Sequence, residues 1–181
     1  MELEELKLSG AFLLHNSTYC DSRGSFSRIY CEAQMRNHSL SLLHAQVNIS
    51  RNLNRGTLRG MHYQEAPFEE AKLVKCIKGV IFDVIVDIRP ASPTYKAWLG
   101  VELSESKDTA LYIPKGFAHG FITLSDNADI LYLMSGPYDP HASRTFRYND
   151  PEVAISWPEN VACISDKDRM ANDFCQVVSN G

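Results

Sequence analysis

Arg55–Gln64 reads R-G-T-L-R-G-M-H-Y-Q, and this stretch carries the clearest information about the fold of the chain. Polar and apolar residues alternate along it, which is typical of a strand with one functional face. Because successive side chains of a strand point to opposite faces, regular geometry puts Arg59 on one side and His62 on the other. Gly56 and Gly60 favour bulges or close backbone contacts, which bring residues of both faces to one rim. A plainer interpretation is an edge strand with solvated arginines and one core histidine.

The rest of the chain predicts an all-β domain. Residues 72–90 break at Gly79 into two strands, and the second is apolar almost throughout, which indicates burial on both faces. Turn residues separate further short strands without ten-residue helical patterns between them, so we expect an antiparallel sandwich or barrel. A single domain is predicted over residues 1–181. Strands are predicted at 6–19 with an interruption at Gly10, and at 26–30, 42–50, 96–103, 110–113, 119–124, 129–134, 145–148 and 155–157. A short helix is predicted at 31–38, and the tail within 159–181 is predicted to be helical from about 166 to 177.

The composition is that of an ordinary globular domain. Of 181 residues, 44% are apolar and 22% are charged, and the net charge is −4. A chain of this length and charge is expected to form one core and to bind neither nucleic acid nor an anionic membrane. Five scattered cysteines without a C-x-x-C pair indicate free thiols in a reducing compartment. The acidic start, M-E-L-E-E-L-K-L, lacks signal-peptide features, and no run approaches about 20 apolar residues, so we expect a cytoplasmic protein.

Polar residues that are able to act on a ligand recur near the predicted strand ends. The open mouth of a β-barrel is a common place to gather such residues around a small molecule. Guanidinium groups pair two-pronged with phosphate, so several arginines in an acidic protein favour a phosphorylated or diphosphate ligand. Asp83 and Asp87 share a strand face, and a catalytic role and a structural role are both open for them. The candidate site residues are Arg23, Arg28, Gln46, Asn48, Arg59, His62, Lys72, His119, Tyr132, Tyr138, Lys167 and Asp168.

The segment P-K-G-F-A-H, Pro114–His119, is similar to the second motif of metal-binding cupins. The first motif of those proteins supplies an H-x-H pair and a glutamate, whereas this chain has His62, Tyr63 and Gln64 at the corresponding place. Two histidines alone do not make up the three or four ligands of a usual site, so we expect no metal. A metal-dependent cupin dioxygenase or isomerase is the alternative enzyme, and stoichiometric iron, manganese or zinc would favour it.

Several motifs follow one another in a fixed order from about Asp21 to Asp168. They are R-G-T-L-R-G-M-H-Y-Q, K-L-V-K-C-I-K-G, V-D-I-R-P-A-S-P-T-Y, I-P-K-G-F-A-H-G-F, Tyr132 followed by Tyr138, N-D-P-E-V-A-I-S-W-P and I-S-D-K-D. Together they resemble the dTDP-4-dehydrorhamnose 3,5-epimerase family. The resemblance implies a jelly-roll cupin barrel with a short C-terminal helical segment, a homodimer that exchanges N-terminal strands, and no cofactor. It also implies epimerisation at C3, C5 or both carbons of a nucleotide-diphosphate 4-keto-6-deoxyhexose, in the synthesis of surface-polysaccharide sugars.

Positions that match the family motifs receive roles through that resemblance. His62 is implied to be the proton acceptor, oriented by Asp168, with Tyr132 as the proton donor on the opposite face of the sugar. Lys72, with His119 nearby, is implied to face the C4 oxygen. These residue types suit the reaction, because proton loss beside a ketone needs a base at carbon and a donor at oxygen. The resemblance also implies that Arg23 and Arg59 bind the diphosphate, that Gln46 and Asn48 contact the nucleotide or sugar, and that Tyr138 stacks on the base. Arg28 and Lys167 are further substrate-binding candidates.

Two positions depart from the family pattern near the base. The family segment R-G-F-F-x-E corresponds to R-G-S-F-S-R here, so Arg28 replaces a glutamate, and Ser143 replaces a second one. Thymine offers an N–H donor at N3, which suits a carboxylate, whereas cytosine offers an acceptor, which suits a guanidinium. Our hypothesis is therefore that the base is cytosine, with dTDP and CDP as the two alternatives to compare. A catalytically silent nucleotide-sugar binding module is a further interpretation of the whole chain.

Overall fold

The structure is a computed structural model that describes residues 1–40, 42 and 46–174. Parts of the predicted strand 42–50 and of the predicted tail 159–181 lie outside the described residues. The strands are β1 (Glu2–Glu5), β2 (Phe12–His15), β3 (Thr18–Asp21), β4 (Gly24–Ser27), β5 (Gln46–Asn52), β6 (Thr57–Gln64), β7 (Lys72–Lys78), β8 (Val80–Asp87), β9 (Trp98–Ser104), β10 (Thr109–Ile113), β11 (Phe117–Thr123), β12 (Ala128–Met134), β13 (Ser143–Thr145) and β14 (Cys163–Ile164), and the helices are α1 (Glu32–Asn37) and α2 (Asp166–Arg169).

Two sheets face each other and enclose the main core. One has the strand order β1-β2-β10-β7-β12-β5, and the other has the order β13-β6-β11-β8-β9, with β14 adding to β6 in parallel. β3 and β4 form a separate hairpin. Val74 and Leu111 from the first sheet pack with Ile81 and Phe121 from the second. This jelly-roll barrel confirms the predicted all-β class, and the short helix expected at 31–38 is confirmed as α1.

The apolar run predicted to be buried on both faces forms β8. The strand lies between β11 and β9 in the second sheet. Its Ile81 and Ile85 belong to the core between the sheets. Val84 and Val86 belong instead to a second buried cluster, which includes Phe146. Both faces of the strand are therefore buried, as the apolar run predicts.

β6 contains the bulge that its glycines predict. The pairing register with β11 shifts between Arg59 and His62, so that two residues of β6 oppose Gly120 alone. Gly60 has a φ of +142°, and a Cβ added there would lie 2.6 Å from the Cα of Gly120. The two backbones thus touch at a point that only glycine allows. The bulge brings Arg59 and His62 into the lining of one cavity.

Several secondary-structure predictions are wrong. The predicted strand 6–19 is divided between β2 and β3, the predicted strand 145–148 is replaced by β13, and residues 155–157 are not a strand. In the described part of the predicted tail, residues 166–169 form α2, whereas residues 159–165 and 170–173 are not helical. Val153, Ile155 and Phe174 are buried in the second cluster without strand pairing, and apolar spacing does not distinguish such a covering segment from a strand or helix. No helix among the described residues is long and apolar enough to span a membrane.

Candidate active site

A cavity of about 380 Å³ opens between the two sheets. This volume is in the range of small-molecule sites. Six strands, the loops before β7 and after β12, and α2 contribute to its wall. Of the predicted site residues, Asn48, Arg59, His62, Lys72, His119, Tyr132, Tyr138 and Lys167 line it, and the other lining residues are Ile49, Ser50, Tyr63, Gln64, Glu70, Phe121, Met134 and Ser143.

His62 and Asp168 form a hydrogen-bonded pair at this cavity. The ring Nε2 of His62 lies 2.7 Å from Oδ1 of Asp168, and Oδ2 accepts from the Gly60 N–H at 3.3 Å. Burial acts to raise the pKa of Asp168, but the hydrogen bond and the charge of His62 outweigh it and hold the pKa below its ordinary value. The carboxylate is therefore ionised and favours the proton on Nε2. Nδ1 is then the basic nitrogen of the ring.

β14 and α2 explain how Asp168 reaches a histidine so distant in sequence. β14 pairs in parallel with the start of β6, with Ile164 opposite Leu58. α2 begins immediately after this pairing, and the hydroxyl of Ser165 caps it by accepting from the Asp168 N–H at 3.1 Å. The helix therefore starts beside the β6 bulge. Asp168 is 3% exposed there, next to His62.

Lys72 brings a buried amine to the cavity wall. Only 5% of the residue is exposed, and its Nζ lies 3.4 Å from Oε1 of Glu70. Burial lowers the pKa of Lys72, while the negative charges of Glu70 and Asp83 act in the opposite direction. An amine held in this way is suited to donate a hydrogen bond to an oxygen of a bound ligand.

His119 forms a second histidine–aspartate pair. Its Nε2 lies 2.5 Å from Oδ1 of Asp83, and both residues are buried. Oδ2 of Asp83 is buried without a hydrogen-bond partner among the described residues. The ring of Tyr132 meets the ring of His119 edge-on, with centroids 6.0 Å apart. Burial, followed by the charge of Asp83, raises the pKa of Tyr132 well above its ordinary value, so the phenol keeps its proton at neutral pH.

Arg59 brings a guanidinium to the cavity. Its Nε donates to Oδ1 of Asn52 at 2.9 Å, which fixes the direction of the side chain. Asn48 lines the same wall, and its Nδ2 donates to Oε1 of Gln46 at 3.3 Å. Gln46 therefore lies beside the cavity, although it is not part of the lining.

Gln64 holds the loop that carries Tyr138. Its Nε2 donates to the carbonyl of Pro137 at 3.1 Å, and its Oε1 accepts from the Asp139 N–H at 2.7 Å. These two bonds flank Tyr138, which is 56% exposed at the cavity. The Nε2 of Gln64 also donates to Oε2 of Glu70 at 3.2 Å. An exposed aromatic ring on a fixed loop is suited to stack on a flat group such as a nucleobase.

Arg23 and Arg28 do not line the cavity of the chain that carries them. Arg23 lies at the turn of the β3–β4 hairpin, pairs with Asp21 and has 86% of its side chain exposed. Arg28 follows the hairpin and lies in a separate surface depression. The β3–β4 hairpin pairs with neither main sheet, so it holds both arginines away from the cavity of their own chain. Their predicted contact with substrate is therefore absent within one chain.

Asp87 has a structural role. It accepts hydrogen bonds from Arg89, Ser92 and Thr94 in the loop that follows β8. Burial acts to raise the pKa of Asp87, but these bonds outweigh it and lower the pKa to about 2. Of the two aspartates on β8, only Asp83 supports a residue of the cavity.

Gln64 and Glu70 line the cavity without having been predicted as site residues. Gln64 ends the R-G-T-L-R-G-M-H-Y-Q motif, and Glu70 precedes Lys72 by two residues. The motif position of Gln64 and the closeness of Glu70 to Lys72 in the sequence are the only signals that point to these two residues. Among the described residues, no group of three or more His, Cys, Asp or Glu side chains is arranged to hold a metal ion.

Comparison with known proteins gives consistent results over nearly the whole chain. A family model described as dTDP-4-dehydrorhamnose 3,5-epimerase matches residues 5–176. The chain is 36% identical over 178 residues to a dTDP-4-dehydrorhamnose 3,5-epimerase of Sinorhizobium fredii, covering 98% of this chain and 91% of the relative. It is 38% identical over 174 residues to a dTDP-4-dehydrorhamnose 3-epimerase of Streptomyces niveus, covering 94% and 83%. A Legionella pneumophila epimerase, solved in complex with dTDP-4-keto-L-rhamnose, superposes with a TM-score of 0.93 at 35% identity, covering 99% and 95%.

Proposed function

Since the chain belongs to the dTDP-4-dehydrorhamnose 3,5-epimerase family, it is an epimerase of nucleotide-linked sugars, and we propose that its cavity performs the reaction on a 4-keto-6-deoxyhexose. The reaction inverts C3, C5 or both carbons beside the C4 ketone. The single observation that carries the proposal is the convergence of His62, Lys72 and Tyr132 on one cavity, with His62 held by Asp168. These groups are a base, an oxygen donor and an acid, which are the three parts that the reaction needs.

Proton removal is the first chemical step. Nδ1 of His62 takes the proton from the carbon beside the ketone, and the C–H electron pair becomes the C=C bond of an enolate. The carbonyl π electrons move to the C4 oxygen, where Lys72 donates a hydrogen bond to the developing charge, with His119 nearby. A positioned base typically raises the reaction rate by about 10²- to 10⁴-fold, and a donor to the oxyanion raises it by about 10²- to 10³-fold.

Proton return on the opposite face completes the inversion. The phenol of Tyr132 donates its proton to the enolate carbon, where the C=C π pair forms the new C–H bond, and an electron pair on the C4 oxygen restores the C=O bond of the ketone. Proton exchange with solvent then restores neutral His62 and the phenol of Tyr132. Every step uses side chains of the chain itself, so we propose that the reaction needs no metal or other cofactor.

The nucleotide diphosphate binds along the outer part of the cavity in this proposal. Arg59 pairs with the diphosphate, Asn48 and Gln46 contact the nucleotide or sugar, and Tyr138 stacks on the base. Lys167 adds a positive charge from α2. Ser143 lines the cavity where the family pattern has a glutamate, which supports testing cytosine as the base.

A homodimer supplies Arg23 and Arg28 in this proposal. Tyr19 and Phe26 are opposite each other on the hairpin and are 69% and 74% exposed. In the described residues β5 pairs with β12 alone, so one edge of this cavity-lining strand is open. We therefore assign the hairpin of the partner subunit to the neighbourhood of this edge, through exchange of N-terminal strands.

Subunit complementation tests the shared site. His62→Ala and Arg23→Ala are each expected to be weakly active alone. A mixed dimer has one site with His62 intact and Arg23 supplied by the other chain. Random pairing of equal amounts therefore restores about a quarter of the wild-type activity. If mixing leaves the two variants as inactive as they are alone, Arg23 does not act across the dimer.

Deuterium incorporation tests the proposed reaction. The protein is incubated in deuterated water with dTDP- or CDP-4-keto-6-deoxyglucose, and NMR locates the label. Label at C3, C5 or both identifies the inverted carbon, and the better substrate identifies the base; a clear preference for dTDP refutes the cytosine hypothesis. His62→Ala is expected to abolish exchange. Binding without exchange in the wild type would support the silent binding module instead.

The cellular setting completes the proposal. Cys20, Cys31, Cys76 and Cys163 are free, which fits a reducing compartment such as the cytoplasm. Sugar nucleotides of this class supply deoxysugars for surface polysaccharides, and we place the protein in that synthesis.

A further inference from the structure

Glu70 is a buried carboxylate in the cavity wall that the proposed reaction does not use. It is 9% exposed and lies just before β7. Its Oε1 lies 3.4 Å from Nζ of Lys72, and its Oε2 accepts from Nε2 of Gln64 at 3.2 Å. Both oxygens are therefore engaged, and one of them faces the buried amine. A buried carboxylate fixed at two points is unsuited to move a proton and well suited to hold a charge in place.

The surroundings of Lys72 make this carboxylate important. A buried amine tends to lose its proton, because desolvation disfavours the charged form. Asp83 also carries a negative charge nearby, but its Oδ1 is hydrogen-bonded to His119. Glu70 is therefore the direct partner of the amine. The other charged or titratable groups around this part of the cavity are Arg59 and His62 of β6, His119 of β11 and Tyr132 of β12.

We propose that Glu70 is a positioning residue that holds Lys72 as an ammonium ion, so that the donor to the ketone oxygen is charged when the substrate binds. This inference rests on the proposed function. It gives Glu70 control of the upper pH limit of catalysis, because the reaction slows once Lys72 is neutral. Burial and the charge of Asp83 raise the pKa of Tyr132 well above that of an ordinary phenol, so Lys72 deprotonates first as the pH rises.

The Glu70→Gln variant tests the charge while it keeps the length of the side chain. The new amide oxygen is able to accept from Gln64 as Oε2 does now. An opposite charge within about 4–6 Å shifts a pKa by about 1–3 units. We therefore expect the basic limb of the profile of kcat/KM against pH to move to lower pH by about one unit or more. Turnover falls about tenfold at a fixed pH on that limb, while the acid side of the profile is retained.

Two further variants serve as controls. Glu70→Asp keeps the charge but withdraws it by one methylene, so a smaller shift in the same direction is expected. Glu69→Gln makes the same chemical change at the neighbouring position, which does not line the cavity, and the profile is expected to stay unchanged. If Glu70→Gln fails to fold, the Glu70→Asp profile decides the matter.

The outcomes separate this inference from the proposed function. Absence of deuterium incorporation by the wild type at both C3 and C5 refutes the proposed function itself. With exchange present in the wild type, an unchanged basic limb in the Glu70 variants overturns the role of Glu70. A fall in thermal stability without movement of that limb likewise identifies Glu70 as structural only.

Discussion

Replacing Asp168 with asparagine tests the central pair of the site. The carboxylate now serves two donors, because Oδ1 accepts from His62 Nε2 at 2.7 Å and Oδ2 from the Gly60 N–H at 3.3 Å. An asparagine side chain has one acceptor and one donor, so it satisfies only one of them. If the amide oxygen faces the ring, the amide NH₂ faces the Gly60 N–H, so two donors oppose each other and the Gly60 bond is lost. If its NH₂ faces the ring, Nε2 must accept, the ring proton moves to Nδ1, and the base is lost.

Either orientation of the amide removes the negative charge beside the imidazole. We expect the Asp168→Asn variant to lose about 10²- to 10⁴-fold in kcat, the scale of one positioned base. This corresponds to about 3–5 kcal/mol of transition-state stabilisation. KM is expected to change little, because Asp168 does not line the cavity.

The assay combines steady-state kinetics with the rate of solvent deuterium incorporation, and circular dichroism confirms that the variant is folded. Asp166→Asn provides a matched control, since it makes the same change at an exposed position of the same helix and is expected to retain wild-type turnover. Turnover by Asp168→Asn within about threefold of the wild type, well below the scale of one positioned base, would refute the assignment of His62 and Asp168 as the catalytic pair.

Three further variants address proton delivery, packing and stability. Tyr132→Phe is expected to impair inversion while some deuterium exchange persists, as followed by NMR, and full inversion would exclude the phenol as the donor. Gly60→Ala is expected to lower the free energy of unfolding by about 2–5 kcal/mol in urea titrations, because backbone strain at positive φ adds to a clash with the backbone of Gly120. Gly24→Ala is the control: its added Cβ has no atom within 4 Å, so it suffers only the backbone strain. Asp87→Asn is expected to lower it by about 2 kcal/mol at pH 7. Because the folded-state pKa of Asp87 is lowered to about 2, its contribution to stability is present above pH 4 and falls by about half at pH 3. A difference in the free energy of unfolding between variant and wild type that stays constant from pH 7 to pH 3 would contradict this.

The sequence predicted the barrel well, because alternation and turn residues are local signals. The central strands β7, β8, β11 and β12 lie close to their predicted positions, since their apolar faces are buried by sheet packing. The short C-terminal helix is confirmed as α2, but the predictions failed at residues 155–157 and in the described tail outside α2, where apolar side chains cover the sheet without pairing. Burial selects apolar residues in both situations, so composition alone does not separate them.

The site was only partly accessible to the same reasoning. Strict alternation separated Arg59 from His62, and the Gly60 bulge, which the glycines indicated, brings them together. The contact between His62 and Asp168 depends on the parallel pairing of β14, a two-residue strand with no sequence pattern of its own. Glu70 was not recognised, because its importance follows from burial next to Lys72 and not from its neighbours in sequence.

The two hydrogen bonds of Gln64 to the segment around Tyr138 have a consequence for nucleotide selection. Because these bonds form when the protein folds, the loop at the cavity entrance keeps the same conformation whichever ligand approaches. The conformational entropy of this loop is therefore lost on folding and not on ligand binding. The affinity for a base then depends on how well the base fits the loop conformation that is already present. In the proposed site, a nucleobase therefore meets an aromatic ring whose supporting loop is already in place.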